Sequence, residues 1–184
     1  MADGIFYVDT RQPWITADQT GVTLATTQKT LWAVGASSPT ILPANYWTVG
    51  KTIRLYANLK WTAVANTNGI TVGMCYGAAD APACNVVSTA MTPVSGTSTF
   101  DVIMMGYATC RSIGTAGTLS MWGVSHLPVG LSVNGPGTFP SAGVTVVSTI
   151  DTTVGTNALS FQAARATAAG DTVVATSIIM EAMN

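Results

Sequence analysis

Between Lys51 and Trp61 the sequence alternates without a break. Ile53, Leu55, Ala57, Leu59 and Trp61 are apolar, and Arg54, Asn58 and Lys60 fall between them. Successive side chains of a strand point to opposite faces, so a period of two writes one face for a core and one for water. A helix needs apolar spacings of three and four, whereas this run keeps a strict two. The segment predicts a half-buried strand.

The same reading repeats downstream. Ile70, Val72, Met74 and Tyr76 share a face, as do Leu119, Met121 and Gly123, with Ser120, Trp122 and Val124 opposite. Phe100, Val102 and Met104 alternate with Asp101, Ile103 and Met105, which predicts a strand covered on both sides. Val144, Val146 and Ile150 form the next strand, and Leu159, Phe161 and Ala163 the one after. In the last, Val173 to Glu181, the expectation is that Val174, Thr176, Ile178 and Met180 share one face. About one residue in six is Thr, a β-branched residue that packs well on pleated surfaces. The expected core holds Ile53, Leu55, Leu59, Trp61, Ile70, Val72, Val102, Met121, Val146, Leu159 and Phe161. Turn clusters punctuate the runs: Asn66-Thr67-Asn68-Gly69, Ser95-Gly96-Thr97-Ser98, Gly114-Thr115-Ala116-Gly117, Asn134-Gly135-Pro136-Gly137 and Ala169-Gly170-Asp171. Seven or eight strands spaced in this way predict an all-β, antiparallel sandwich or barrel. The Ala-rich stretch 163–169 is too short for a stable helix and reads as a strand end and hairpin loop. No internal repeat or linker interrupts the 184 residues, a length suited to one domain.

Composition narrows the functional classes. Only 8% of residues are charged, against about 25% in an average soluble domain. A net charge of −1 offers no footprint for nucleic acid, which demands clustered Lys and Arg. Five Trp and abundant Val and Ile exclude a disordered chain. No run reaches the apolar length of a membrane helix, and the first residues lack the basic and apolar regions of a signal peptide. A surface made mostly of Thr, Ser, Asn, Gly and Ala suits a protein bound to copies of itself or to a scaffold. Cys75 and Cys84 flank the loop 76–83 and could face each other across a hairpin, leaving Cys110 over. An odd count is a poor disulfide framework, so the expectation is reduced thiols in a chain made in a cytosol.

Groups able to do chemistry are sparse. His126 is the only histidine, at the end of Trp122-Gly123-Val124-Ser125-His126, and reads as a strand-end residue without a catalytic role. Ser141 lacks the glycine two residues earlier that a nucleophile elbow requires. The eight acids are scattered, and Asp18, Asp80, Asp151 and Asp171 sit in or beside turns, where Asp bonds nearby backbone N–H groups. Gly135-Pro136-Gly137 has neither the Lys nor the helix of a phosphate loop, and no segment holds the paired acids of a calcium loop. No catalytic residue, metal site or cofactor is expected. Trp61 and Trp122 lie on strands as packing residues. Trp14 and Trp47, in irregular segments near Pro13 and Pro43, are the candidate exposed aromatic contacts for a ligand such as a sugar.

Several stretches resemble small structural proteins of tailed bacteriophages. They are Phe6-Tyr7-Val8-Asp9-Thr10-Arg11, Leu42-Pro43-Ala44-Asn45-Tyr46-Trp47, Gly50-Lys51-Thr52-Ile53-Arg54-Leu55 and the run from Thr109 to Leu119. Ile150-Asp151-Thr152-Thr153 with Leu159-Ser160-Phe161-Gln162-Ala163 completes the pattern. The resemblance implies a jelly-roll β-sandwich of about eight strands over 14–184, preceded by an N-terminal arm over 1–13. It also implies a homotrimeric, non-enzymatic virion component: a capsid decoration protein on the capsid surface, with the major capsid protein as partner. Ile5, Phe6, Tyr7 and Val8 are then the candidate capsid-docking residues of the arm. The alternatives are a tail-fibre or receptor-binding knob and a carbohydrate-binding module, for which a host-surface glycan is the partner. Neither nucleic acid nor membrane is an expected partner.

Overall fold

The computed structural model describes residues 21–32, 40–64, 69–78, 85–87, 92–93, 98–126, 131–132, 137–139, 145–166 and 170–183. Among them every regular element is a strand. Seven are long: β3 (Thr52–Ala63), β4 (Ile70–Gly77), β7 (Ser98–Ser112), β8 (Gly117–His126), β11 (Thr145–Ile150), β12 (Ala158–Arg165) and β13 (Thr172–Ala182). These answer to the seven alternating runs of the sequence. Six more are short: β1 (Val22–Thr23), β2 (Lys29–Thr30), β5 (Asn85–Val87), β6 (Thr92–Pro93), β9 (Leu131–Ser132) and β10 (Gly137–Phe139). Two or three residues carry no readable period, which is why the sequence predicts about eight strands and thirteen occur among the described residues.

The strands form two main antiparallel sheets. The larger runs β1-β13-β3-β7-β8-β10, with β11 also pairing to β8; the smaller runs β2-β12-β4-β5. A short ribbon joins β6 and β9. The pairings nest: β3 pairs with β13 in the large sheet, and β4, next in sequence, pairs with β12 in the small one.

One hydrophobic core joins the two sheets. Leu55, Leu59 and Trp61 of β3, Val102 and Met104 of β7, and Leu119 and Met121 of β8 belong to the same buried cluster as Val72 and Met74 of β4 and Phe161 of β12. Burying one such side chain contributes about 1.5–3 kcal/mol. The sheets approach closely at Gly106. A Cβ there would lie 2.7 Å from Met74 Sδ and 3.0 Å from Phe161 Cε1, so a side chain at this point of β7 would have to displace the end of Met74.

Three sequence expectations need correction. Val146 is 56% exposed instead of core, because Val147 stands opposite the inward Leu119 and the parity of β11 turns Val146 outward, opposite Ser120. On β13 the inward set is Val173, Ala175, Ile178 and Met180. A bulge between Ala175 and Ser177 inserts one residue, so odd positions face the core before it and even positions after it. Thr176, at the bulge, donates its hydroxyl to the Asn58 carbonyl at 3.1 Å. Finally, among the described residues β7 is fully covered on one side. Val102 and Met104 are buried, while Ile103 is 42% exposed.

Candidate functional site

The residues singled out from sequence fare unequally. Ile5, Phe6, Tyr7, Val8 and Trp14 lie outside the described residues. Trp47 is not an exposed contact: it is 2% exposed and packs edge-on against Tyr76, ring centroids 5.6 Å apart. The cause is a turn. Tyr46 N–H bonds to the Pro43 carbonyl at 3.2 Å, and Asn45 takes a φ of 55°, a conformation Asn tolerates at that place in a turn. The chain folds back, and Trp47 enters the core beside β4. Lys51 covers the turn, its ammonium 3.1 Å from the Tyr46 carbonyl and 3.5 Å from the Tyr46 ring centroid.

Cys75 is disulfide-bonded, against the expectation of reduced thiols. Cys84, the partner offered by the sequence, lies outside the described residues. Cys110 is free and buried; burial pushes its thiol up from the ordinary 9.0, and its Sγ–H points to the Ser112 carbonyl at 3.4 Å.

The exposed aromatic group is on the outer face of the large sheet. Strand pairing lines up Glu181, Arg54, Tyr107 and Trp122 across β13, β3, β7 and β8. The next row is Ile179, Tyr56, Met105 and Val124, and the one beyond is Ser177, Asn58, Ile103 and His126. Trp122 is therefore no core packing residue. It is 38% exposed and stacks on Tyr107, centroids 4.7 Å apart with the rings 18° from parallel. Arg54 bonds to Glu181, which holds the guanidinium further in its charged form, with a lesser contribution from Tyr107. The Tyr56 hydroxyl donates to Asn58 Oδ1 at 2.9 Å. Polar rows bound this patch along β3. On one side the Thr52 and Thr109 hydroxyls lie 2.9 Å apart; on the other Lys60 stands opposite Asp101, followed by Thr62 and Thr99 hydroxyls 2.9 Å apart. His126 ends β8 as an exposed residue opposite Ile103.

A second polar group is buried. Arg165, at the end of β12, bonds through Nη2 to Asp171 Oδ1 at 2.9 Å. The same carboxylate accepts from Trp61 Nε1 at 3.0 Å and from the Val64 N–H at 2.9 Å. The Asp171 carbonyl takes the Leu24 N–H at 2.8 Å, and the Arg165 N–H reaches the Ala25 carbonyl at 2.8 Å. Sequence reading assigns Asp171 to a turn, and it does precede β13. Its carboxylate nonetheless ties the small sheet, through Arg165, to the large sheet, through Trp61. A signal was present: Arg165 continues the parity of the inward Phe161 and Ala163, so a charge stands where apolar residues point. By contrast Asp151 behaves as a turn residue. Its Oδ1 accepts from the Thr153 hydroxyl at 2.6 Å and backbone N–H at 2.9 Å, which hold its carboxyl below the ordinary range.

The buried ion pair is tied to structural partners at Trp61 and Val64, whereas the outer face of the large sheet offers rings and aliphatic side chains to whatever covers it. Among the described residues no three of His, Cys, Asp and Glu gather closely enough to hold a metal ion. No family model, no curated protein and no solved structure matches the chain.

Proposed function

We propose that the chain is a non-catalytic structural protein of a tailed-phage virion, a capsid decoration protein that assembles as a homotrimer on the capsid surface. The observation that carries this reading is the pairing of a charge-poor chain with exposed large apolar side chains at Val49, Ile103, Trp122 and Val146. A surface of that kind is costly to leave in water and favourable to bury in an assembly. The disulfide at Cys75 suits a particle that spends its life outside a reducing cytosol. In this reading the two sheets form a sandwich of jelly-roll type. The nested pairing of β3 with β13 and of β4 with β12 supports it, since a rolled-up hairpin brings early and late strands together in both sheets.

The test is binding to particles. Purified protein should co-sediment with capsids that lack it, and cryo-electron microscopy should locate it at capsomer junctions. Absence from capsids with density on the tail would move the protein to a fibre or knob. Turnover of a polysaccharide, abolished by a single substitution, would overturn the non-catalytic reading. The exposed Trp122–Tyr107 pair favours one alternative, carbohydrate binding, which a glycan array addresses directly.

A further inference from the structure

We infer that the outer face of the large sheet, across β13, β3, β7 and β8, is the surface through which two copies of this chain meet. The inference rests on the self-association in the reading above; a face that meets its own copy makes a two-fold contact, which stands beside any three-fold one.

The face has the anatomy of a protein interface. Its middle holds Tyr56, Tyr107, Trp122, Met105, Ile103 and Arg54, the residue types enriched where proteins bury one another. Hydroxyl and charged rows flank the middle at both ends of β3, as a rim flanks a dry centre.

Two polar pairs in the middle are already matched. Arg54 holds Glu181, and the Tyr56 hydroxyl holds Asn58. A covering surface therefore needs to supply few hydrogen bonds, and an apolar partner can bury the patch without orphaning these groups. Charge points the same way. The four ionised side chains of these rows cancel, Arg54 against Glu181 and Lys60 against Asp101, so a second copy meets no net repulsion.

Area is sufficient. With strands about 4.8 Å apart and rows about 6.8 Å apart, six rows on β3 and β7 from Thr52 to Thr62, five on β13 and four on β8 span about 700 Å² on each partner. A stable interface of standard size buries about that much per side. A sugar is the poorer occupant. Tyr107 and Trp122 spend one ring face each on the other, which leaves less aromatic face for a sugar ring.

Sedimentation velocity over a micromolar concentration series is the test, on the wild-type chain and on Ile103→Asp, Trp122→Ser and Ile113→Asp. The first two lie on the face; Ile113, exposed in the β7–β8 turn, is the control. The wild type and Ile113→Asp should form the same oligomer, and the two face variants should associate at least about tenfold more weakly. Far-ultraviolet circular dichroism and thermal melts identify any variant that fails to fold, and Ile103→Asp stands in if Trp122→Ser does. Face variants that fold and remain assembled would overturn the inference, as would a monomeric wild type. Glycan binding by the wild type that Trp122→Ser abolishes, with assembly unchanged, would overturn it in favour of a sugar site. Capsid co-sedimentation separates the two readings. An oligomer that depends on this face but binds no capsid refutes only the virion role, and a capsid-binding monomer refutes only the self-association face.

Discussion

Replacing Asp171 by Ala removes a carboxylate from the centre of a buried network. The Arg165 guanidinium, itself fully buried, loses its counter-ion, and Trp61 Nε1 and the Val64 N–H lose their acceptor. Removing one partner of a buried ion pair costs about 3–5 kcal/mol. Each neutral donor left without an acceptor adds about 1–3 kcal/mol, part of which water entering the vacated space returns. We expect a loss of about 4–6 kcal/mol, most of the stability of a marginal domain. Asp171→Asn keeps one acceptor oxygen and should lose less. Adding Arg165→Met to Asp171→Ala removes the stranded charge, so the double variant should recover about 2–3 kcal/mol of the loss. Urea unfolding followed by tryptophan fluorescence, with Trp61 beside the site, and by circular dichroism gives each term at constant slope. A cost below about 1 kcal/mol for Asp171→Ala would refute the reasoning, as would a double variant less stable than the single.

Three further outcomes are expected. Leu55→Ala should cost about 2–5 kcal/mol in urea unfolding, because the side chain is fully buried between the sheets. Gly106→Ala should cost about 1–3 kcal/mol in the same measurement: the new methyl meets the flexible end of Met74, which can shift, and the rigid Phe161 ring. Stability should fall at alkaline pH. Burial raises the Cys110 thiol above 9.0 and the Tyr76 hydroxyl above 10.0, so above those values the unfolded chain releases protons that the fold still holds. This contribution is intact below about pH 9 and is lost as pH climbs through the raised values; melts of Cys110→Ala with Tyr76→Phe should show a flatter alkaline limb.

Period-two alternation located every long strand, because each keeps one face on the core. It placed Leu55, Trp61, Val72, Met121 and Phe161 correctly for the same reason. It failed where a local irregularity changes parity. The bulge near Thr176 exchanges the faces of β13, and one extra residue in a strand leaves no mark in hydropathy. It also failed on β7, where apolar residues on both faces suggested two layers of cover and the outer layer is open at Ile103. Hydropathy reports that a face is apolar, not what covers it, so the patch around Trp122 was legible as a core strand and not as a surface. Trp47 was misplaced because Pro43 and Asn45 marked its turn without revealing which way the chain leaves it. Asp171 read as a turn residue because its partner, Arg165, lies six positions earlier inside an Ala-rich stretch.

The place of β13 in the large sheet has a consequence for how the chain reaches its fold. β3 bonds on one side to β13, and Arg54 and Glu181, paired across that seam, are 127 residues apart. A chain leaving the ribosome therefore carries β3 with one bare edge until almost all of the described strands have been made. Closing so long a loop costs entropy before any contact repays it, which makes such topologies slow to fold. During that delay the row of free N–H and C=O groups along β3, beside an apolar face, is a template for pairing with the wrong strand. Correct assembly thus depends on the speed with which the eleven residues of β13 find their slot between β1 and β3.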